Sequence, residues 1–121
     1  MIIKILSEKF TVCKVNDLSQ INFNDTFLFV GKTDKELSLV CQEDSLPFHC
    51  TTYENGWRAF RFEGELDFSL IGILSEVTKI LAENQIAVFA VSTFNTDYIL
   101  IKETMLETAI SALSAHGYQI V

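Results

Sequence analysis

The chain has 121 residues, with 9 Lys plus Arg against 16 Asp plus Glu and a net charge of −7. Hydrophobic residues make up 49% and proline occurs once, which excludes a disordered chain and fits one compact domain or two very small ones sharing a core. The acidic balance argues against electrostatic binding to nucleic acid or an anionic membrane, and no window approaches ~18 consecutive apolar residues, so no transmembrane helix is expected.

Cys13, Cys41 and Cys50 are odd in number and irregular in spacing, a poor disulfide framework. Residues 1–10 carry no basic segment followed by a long apolar run, so no signal peptide is expected. Both features point to a reducing, cytoplasmic setting. Each cysteine sits in or beside an apolar stretch, where a free thiol behaves as a small hydrophobe.

The first half shows short β-like runs and no convincing helix. Residues 10–15, 26–30 and 36–41 are such runs. The last two flank Gly31-Lys32-Thr33-Asp34-Lys35, the signature of a hairpin with a longer loop. Residues 17–20 suit one short helical turn. The polar stretch 42–47 ends in Pro47, and Tyr53-Glu54-Asn55-Gly56 reads as a second turn signal. A boundary therefore falls near residues 43–56, dividing the chain into 1–55 and 56–121.

The second half has a clear order. Residues 57–63 alternate as a strand, with Arg58, Phe60 and Phe62 on one face and Trp57, Ala59, Arg61 and Glu63 on the other. Gly64-Glu65-Leu66-Asp67 turns the chain. Leu70, Ile73, Leu74, Val77, Ile80 and Leu81 then recur at helical spacing up to about residue 84. Residues 86–93 read as a strand apolar on both faces, through Val88, Phe89, Ala90 and Val91. Residues 94–97 turn, and 98–102 form the next strand. Thr104 and Glu107 have capping-box spacing and open a second helix with Leu106, Ala109, Ile110 and Leu113 on one stripe. Gly117 stops it, with His116 in its last turn, and residues 118–121 suit a final strand.

This half reads β-α-β-β-α-β, the ferredoxin-like plan: an antiparallel sheet with two helices on one face, within the α+β class. A strand apolar on both sides needs further cover, from the strand-rich first half or from a second copy of the chain.

The order, with Gly72-Ile73-Leu74 opening the first helix, resembles the ACT domain. Gly56-Trp57-Arg58-Ala59, Leu66-Asp67-Phe68-Ser69 and the run from Ser92 to Leu100 (STFNTDYIL) are similar to a subgroup of small proteins with two ACT-like units in tandem. Glu36-Leu37-Ser38-Leu39-Val40-Cys41 and Leu46-Pro47 resemble the first, degenerate unit of that subgroup. The resemblance implies a regulatory, non-catalytic module with no cofactor. Related ACT units, in aspartate kinases and in an arginine sensor of animal cells, bind an amino acid between paired units. Carried onto this chain, the implied ligand residues are Asp67, Ser69, Leu70, Ile71, Gly72, Ile73 and Leu74, with Thr93, Phe94, Asn95, Thr96 and Asp97. The implied partners are an amino acid or similar metabolite, a second copy of the chain, and a regulated protein. ACT units often carry Pro-Gly before the first helix; this chain has Phe68-Ser69-Leu70-Ile71-Gly72, keeping the glycine without the proline.

Physical chemistry fits those positions. The first N–H groups of a helix lack intrahelical partners and suit an α-carboxylate. Gly72 lets the backbone be approached closely. Asp67, Asp97, Asn95 and the carbonyls around Thr93 suit an α-ammonium. Plainer roles suit the same residues: Asp67 or Ser69 as N-cap, Asp97 as a turn cap, Gly72 for helix–strand packing. On those roles the chain is a ligand-free structural or protein-interaction module.

No other constellation carries chemistry. His49 and Cys50 with Cys41 match no zinc-ligand spacing. The five glycines match neither a P-loop nor a dinucleotide fingerprint. Arg58 and Arg61 alternate faces and form no patch, and no clustered acid, base and nucleophile suggests an enzyme.

Overall fold

Strands form where apolar and polar residues alternate, and helices where apolar residues recur every three or four positions. In chain order these are β1 (Ile2–Ile5), β2 (Phe10–Lys14), β3 (Leu28–Lys32), β4 (Leu37–Gln42), β5 (Thr52–Glu63), α1 (Ile73–Glu83), β6 (Phe89–Ser92), β7 (Asp97–Lys102), α2 (Leu106–Ala115) and β8 (Gln119–Ile120). Single 3-10 turns occupy Leu18–Gln20, Glu43–Ser45 and Glu103–Met105. The structure, a computed structural model, describes residues 1–63 and 72–121. The chain divides into two units, one of Met1–Ser7 with Arg58–Val121 and one of Glu8–Trp57.

In the C-terminal unit β5 pairs antiparallel with β1, Ile3 facing Phe62 and Ile5 facing Phe60. β7 pairs with β5 and with β6. β8 lies outside β1 and parallel to it. The strand beside β5 is thus the first strand of the chain, in the place a ferredoxin-like plan gives to the strand after the second helix. Local pattern does not announce β1, because its position depends on pairing with residues some sixty positions away.

Ile3, Phe60, Phe62, Ile99 and Ile101 point from one face of this sheet. They form a single buried cluster with Val77, Ile80 and Leu81 of α1 and Ala109 and Leu113 of α2. This is the expected helix layer on one sheet face. Burying one such side chain contributes about 1.5–3 kcal/mol.

Both helices end in the same hydrogen-bonded motif. After α1, Gln85 N–H donates to Ala82 O at 3.0 Å and Ile86 N–H to Leu81 O at 3.0 Å. After α2, Gly117 N–H donates to Ser114 O at 3.0 Å and Tyr118 N–H to Leu113 O at 3.2 Å. These paired bonds are the Schellman arrangement, which needs a left-handed residue just past the cap. Gly117 supplies it at φ 93° and Gln85 at φ 58°. The His116 ring Nδ1 meets the Ala112 carbonyl at 2.9 Å.

Three local expectations are corrected here. Thr104 caps nothing: the chain enters α2 through the Glu103–Met105 turn, and the N-cap is Met105, with no side-chain hydrogen bond. The strand expected over 86–93 is limited to Phe89–Ser92, with Val88 and Ala90 exposed rather than covered on both faces. The turn expected at residues 53–56 is instead part of β5.

That third correction belongs to the N-terminal unit. Here β2 pairs antiparallel with β4 and with the first part of β5, and β4 pairs with β3. The order β5-β2-β4-β3 is the 4-1-3-2 order of a ferredoxin-like sheet. Phe10 faces Trp57 but Val12 faces Glu54, so Asn55 and Gly56 together oppose Thr11. This is a β-bulge, and Gly56 takes the left-handed conformation at φ 87°. The Glu43 carboxylate accepts the Gly56 N–H at 2.8 Å, and the buried Thr11 hydroxyl donates to Glu54 O at 3.1 Å. An Asn-Gly pair signals positive φ equally well for a turn and for a bulge.

Single 3-10 turns stand where helices would lie in this unit. Cys13, Val15, Ile21, Leu39 and Cys41 form its small core, with Leu28, Leu37, Leu46 and Cys50 packed against it.

Candidate functional site

The sequence-predicted site rests on two segments of the C-terminal unit. Asp67, Ser69, Leu70 and Ile71, and with them the 64–67 turn, lie outside the described residues. Gly72 is the N-cap of α1, at φ 89°, and no side chain among the described residues caps the helix there. The first helical bond runs from Glu76 N–H to Gly72 O at 2.8 Å. Among the described residues no atom lies within 4 Å of the place a Gly72 Cβ would take. The Gly72 φ lies in the left-handed region, which favours glycine over residues with a Cβ. Ile73 and Leu74 are half-buried, their side chains packed against the core.

The second segment is the end of the β6–β7 hairpin. Ser92 faces Asp97 across it. Thr93 N–H donates to Thr96 O at 2.8 Å, and the Thr93 hydroxyl donates to the same oxygen at 2.9 Å. Thr96 Oγ1 donates to Phe62 O at 3.0 Å, fixing the turn to β5. The Ser92 hydroxyl donates to Asp97 Oδ1 at 2.6 Å. Asp97 thus begins β7 and is held by a strand neighbour rather than capping the turn. Phe94, at the tip, is fully exposed.

Asn95 and Thr96 share a cleft of about 200 Å³ with Arg61, Phe62, Glu63 and Tyr98. Arg61 Nε lies 2.7 Å from Glu63 Oε1, and its Nη1 donates to the Tyr98 hydroxyl at 3.2 Å. Bonds to Glu63 and then Tyr98 raise the Arg61 pKa above its usual value. The cleft offers an amide, hydroxyls and an already paired guanidinium. Gly72, Ile73 and Leu74 are not among its described walls. Arg61, Glu63 and Tyr98 were not singled out from sequence; the signal available was the alternation of β5, which puts Arg61 and Glu63 on one face. Arg58 is engaged elsewhere, donating to Leu6 O at 2.9 Å.

The N-terminal unit holds the counterpart of this arrangement. Thr33 and Thr93 stand sixty positions apart. Thr33 N–H donates to Glu36 O at 2.9 Å, as Thr93 N–H does to Thr96 O. Residues 32–37 and 16–19 line one open groove of about 540 Å³. Its walls carry Lys32 and Lys35 with Asp17, Asp34 and Glu36. Asp17 caps the Leu18–Gln20 turn, accepting Ser19 N–H at 2.9 Å, while Gln20 Oε1 accepts Asn16 N–H at 2.7 Å. This groove joins the segment after the first strand to the hairpin turn, the same two segments that carry the predicted site. Sequence reasoning took them separately, as a helical turn and a hairpin loop.

Among the described residues no group of three His, Cys, Asp or Glu is placed to hold a metal ion. No helix among them is long and apolar enough to cross a membrane.

One unit with two helices on a ferredoxin-like sheet, and a second with the same strand order and 3-10 turns in place of helices, define an α+β protein of the ferredoxin-like class. The sequence profile of the ACT domain matches residues 52–115. A protein from Agobacterium tumefaciens superposes with a TM-score of 0.88 at 30% identity, covering 98% of this chain and 90% of that one. The chain belongs to the ACT domain family. A Vibrio cholerae protein of unknown function, described as a possible transport protein, gives a TM-score of 0.74 at 17% identity, covering 94% of this chain and 88% of that one. The regulatory subunit of aspartate kinase from Thermus thermophilus gives 0.63 at 8% identity, covering 93% and 95%. These last two share the fold. No curated protein matches the sequence.

Proposed function

We propose that this chain is a non-catalytic regulatory module that binds an amino acid. The observation that supports it most is the groove lined by residues 16–19 and 32–37, where the segment after a first strand meets a hairpin turn. In the C-terminal unit the corresponding segments are the approach to Gly72 and residues 93–97. The first N–H groups of α1, which no side chain among the described residues caps, suit the ligand carboxylate. The Asp97 carboxylate, the Asn95 amide and Asp67 suit its ammonium. Binding favours one packing of the ACT units, and that population shift is what a regulated partner reads. Val88 and Ala90 are exposed beside and on β6, which pairs only with β7 among the described strands, and a second copy of the chain in a cytoplasmic homodimer would cover them.

The test is a thermal-shift panel of the twenty amino acids, with calorimetry on each hit. A ligand at 100 times its Kd adds about 2.7 kcal/mol and raises the midpoint by several degrees. Asp97→Asn should weaken the response while changing the unliganded stability by no more than about 0.5 kcal/mol. Silence across the panel at millimolar concentrations sinks the amino-acid reading. It would favour a protein-interaction module presenting the exposed Phe94.

A further inference from the structure

Cys13, Cys41 and Cys50 are scattered in sequence and converge in the N-terminal unit. Cys13 and Cys41 are buried in its core, and Cys50 packs against that core half-exposed. The neighbouring Cys41 thiol, and then burial, push the Cys13 thiol pKa up. Cys50 Sγ also donates to Lys14 O at 3.3 Å and Thr52 O at 3.5 Å. Lys14 and Thr52 face each other across β2 and β5, and Cys13 with Tyr53 forms the next rung. Cys50 therefore sits against the end of the ladder beside Cys13.

We propose that Cys50 and Cys13 form a reversible disulfide when a peroxide reaches this unit. Geometry selects that pair over Cys13 with Cys41. Cys13 faces Leu39 and Cys41 faces Thr11, so the two are diagonal neighbours on β2 and β4. Diagonal Cα atoms lie about 7–8 Å apart, beyond the ~4.4–6.8 Å of a disulfide. Bridging them would shift a paired ladder. Cys50 lies in the loop before β5, outside any strand or helix, and can adjust without breaking one. It is also the thiol that solvent reaches.

The chemistry balances with the peroxide as sole oxidant. The Cys50 thiolate attacks one peroxide oxygen, the O–O bond breaks, and the departing hydroxide takes up a proton. Cys50 is now a sulfenic acid. The Cys13 sulfur, losing its proton, attacks the Cys50 sulfur. The S–S bond forms, the S–O bond breaks, and the second oxygen leaves as water. Two thiols lose two electrons in all, and one peroxide becomes two waters. Burial raises the Cys50 pKa, so its thiolate is scarce at neutral pH and the reaction speeds up as pH rises.

The test treats the whole protein with hydrogen peroxide. Thiols are then counted after denaturation, and the unreduced, alkylated protein is mapped by peptide mass spectrometry. The proposal expects two of the three thiols to disappear, an intact mass lower by two hydrogens, and a peptide joining Cys13 to Cys50. Reductant should restore all three thiols. Cys41→Ser should still form the bond and Cys50→Ser should not, with circular dichroism checking each fold beforehand. A Cys13–Cys41 link, oxygen added to Cys50 without a link, or three intact thiols at peroxide levels that oxidise free cysteine would each overturn it. The wild-type map decides the matter even if a variant fails to fold.

Discussion

The hairpins β3–β4 and β6–β7 are built alike and lead to different things. Both are antiparallel, with Lys32 facing Leu37 in one and Ser92 facing Asp97 in the other, sixty positions on. Both close on a threonine whose N–H reaches the carbonyl three residues later, and both run into a single 3-10 turn. Then they part. Leu46 leaves its turn at φ −58°, ψ 127°, and Leu106 leaves its own at φ −60°, ψ −46°. The next residue is Pro47 in one case and Glu107 in the other. Proline disfavours the α region for the residue before it, so Leu46 is pushed extended while Leu106 enters α2. A helix layer is gained or lost on one ψ angle and the proline behind it. The missing first helix of the N-terminal unit has a different cause. Residues 16–26 are rich in Asn and Asp, whose side chains compete for the backbone, whereas 73–83 carry a full apolar stripe.

The largest expected effect tests what the helix layer contributes. Phe60 is buried between sheet and helices in the C-terminal unit. Phe60→Ala should cost about 3–5 kcal/mol by urea denaturation. Hydrogen exchange should show the amides of β5 after Arg58 and of β7 as the slowest, because they underlie that layer. If residues 28–42 exchange as slowly, the helix layer is not what separates the two units.

A second test uses pH. The Tyr118 hydroxyl donates to Glu76 Oε1 at 2.8 Å, joining the end of α2 to the first turn of α1. Burial, and then that bond, push the Tyr118 pKa up to about 12, from about 10 when unfolded. The folded state therefore holds the proton more tightly. Its contribution is fully present below pH 10 and is lost as pH rises toward 12, by roughly 2 kcal/mol. Tyr118→Phe should flatten the stability curve in that window. An unchanged alkaline slope in the variant would assign it to other groups.

How much of this could be read in the sequence follows from the range of the interactions. Helix α1, the β6–β7 turn and the stop at Gly117 are set by neighbours within a few positions, and their residues announce them, whereas the N-cap of α1, expected at Asp67 or Ser69, falls at Gly72. The place of β1 beside β5 is set by a long-range pairing and leaves no local mark. The bulge at Gly56 shares its signature with a turn. Thr104 and Glu107 have capping-box spacing, yet Thr104 falls inside the 3-10 turn after β7 and Glu107 in the first turn of α2 behind the N-cap Met105. Of the candidate site, the turn at residues 94–97 was legible as a turn from its Asn and Asp, while its assignment to a ligand came from the family resemblance and from no local signal. The partnership of residues 16–19 with 32–37 exists only once β2 and β4 pair.

The two threonines sharpen the comparison of the hairpins. Thr33 Oγ1 accepts Lys35 N–H at 3.1 Å and Glu36 N–H at 3.2 Å. Thr93 Oγ1 accepts Thr96 N–H at 3.3 Å. Thr33→Val and Thr93→Val should each cost about 0.5–1.5 kcal/mol, nearly equally, since each hydroxyl makes two exposed hydrogen bonds within an equivalent turn. A large inequality in chemical denaturation would mean that the turns are alike in shape and not in energy.

The smallest effect compares the two helices of one unit. Both end in a Schellman motif, and both need a residue at positive φ, yet one uses Gly117 and the other Gln85. A side chain in the left-handed region costs about 1–2 kcal/mol in sterics, while glycine costs more entropy when the chain folds. The steric saving exceeds the entropic loss, so Gln85→Gly should stabilise by about 0.5–1 kcal/mol. Gly117→Ala should destabilise by a similar amount, because among the described residues no atom lies within 4 Å of its added Cβ and the backbone conformation is what opposes it. Opposite signs for these two substitutions in thermal melts are what conformation alone requires. Equal signs would mean that the Gln85 side chain, whose Nε2 donates to Glu83 O at 3.1 Å, offsets the strain of its own backbone.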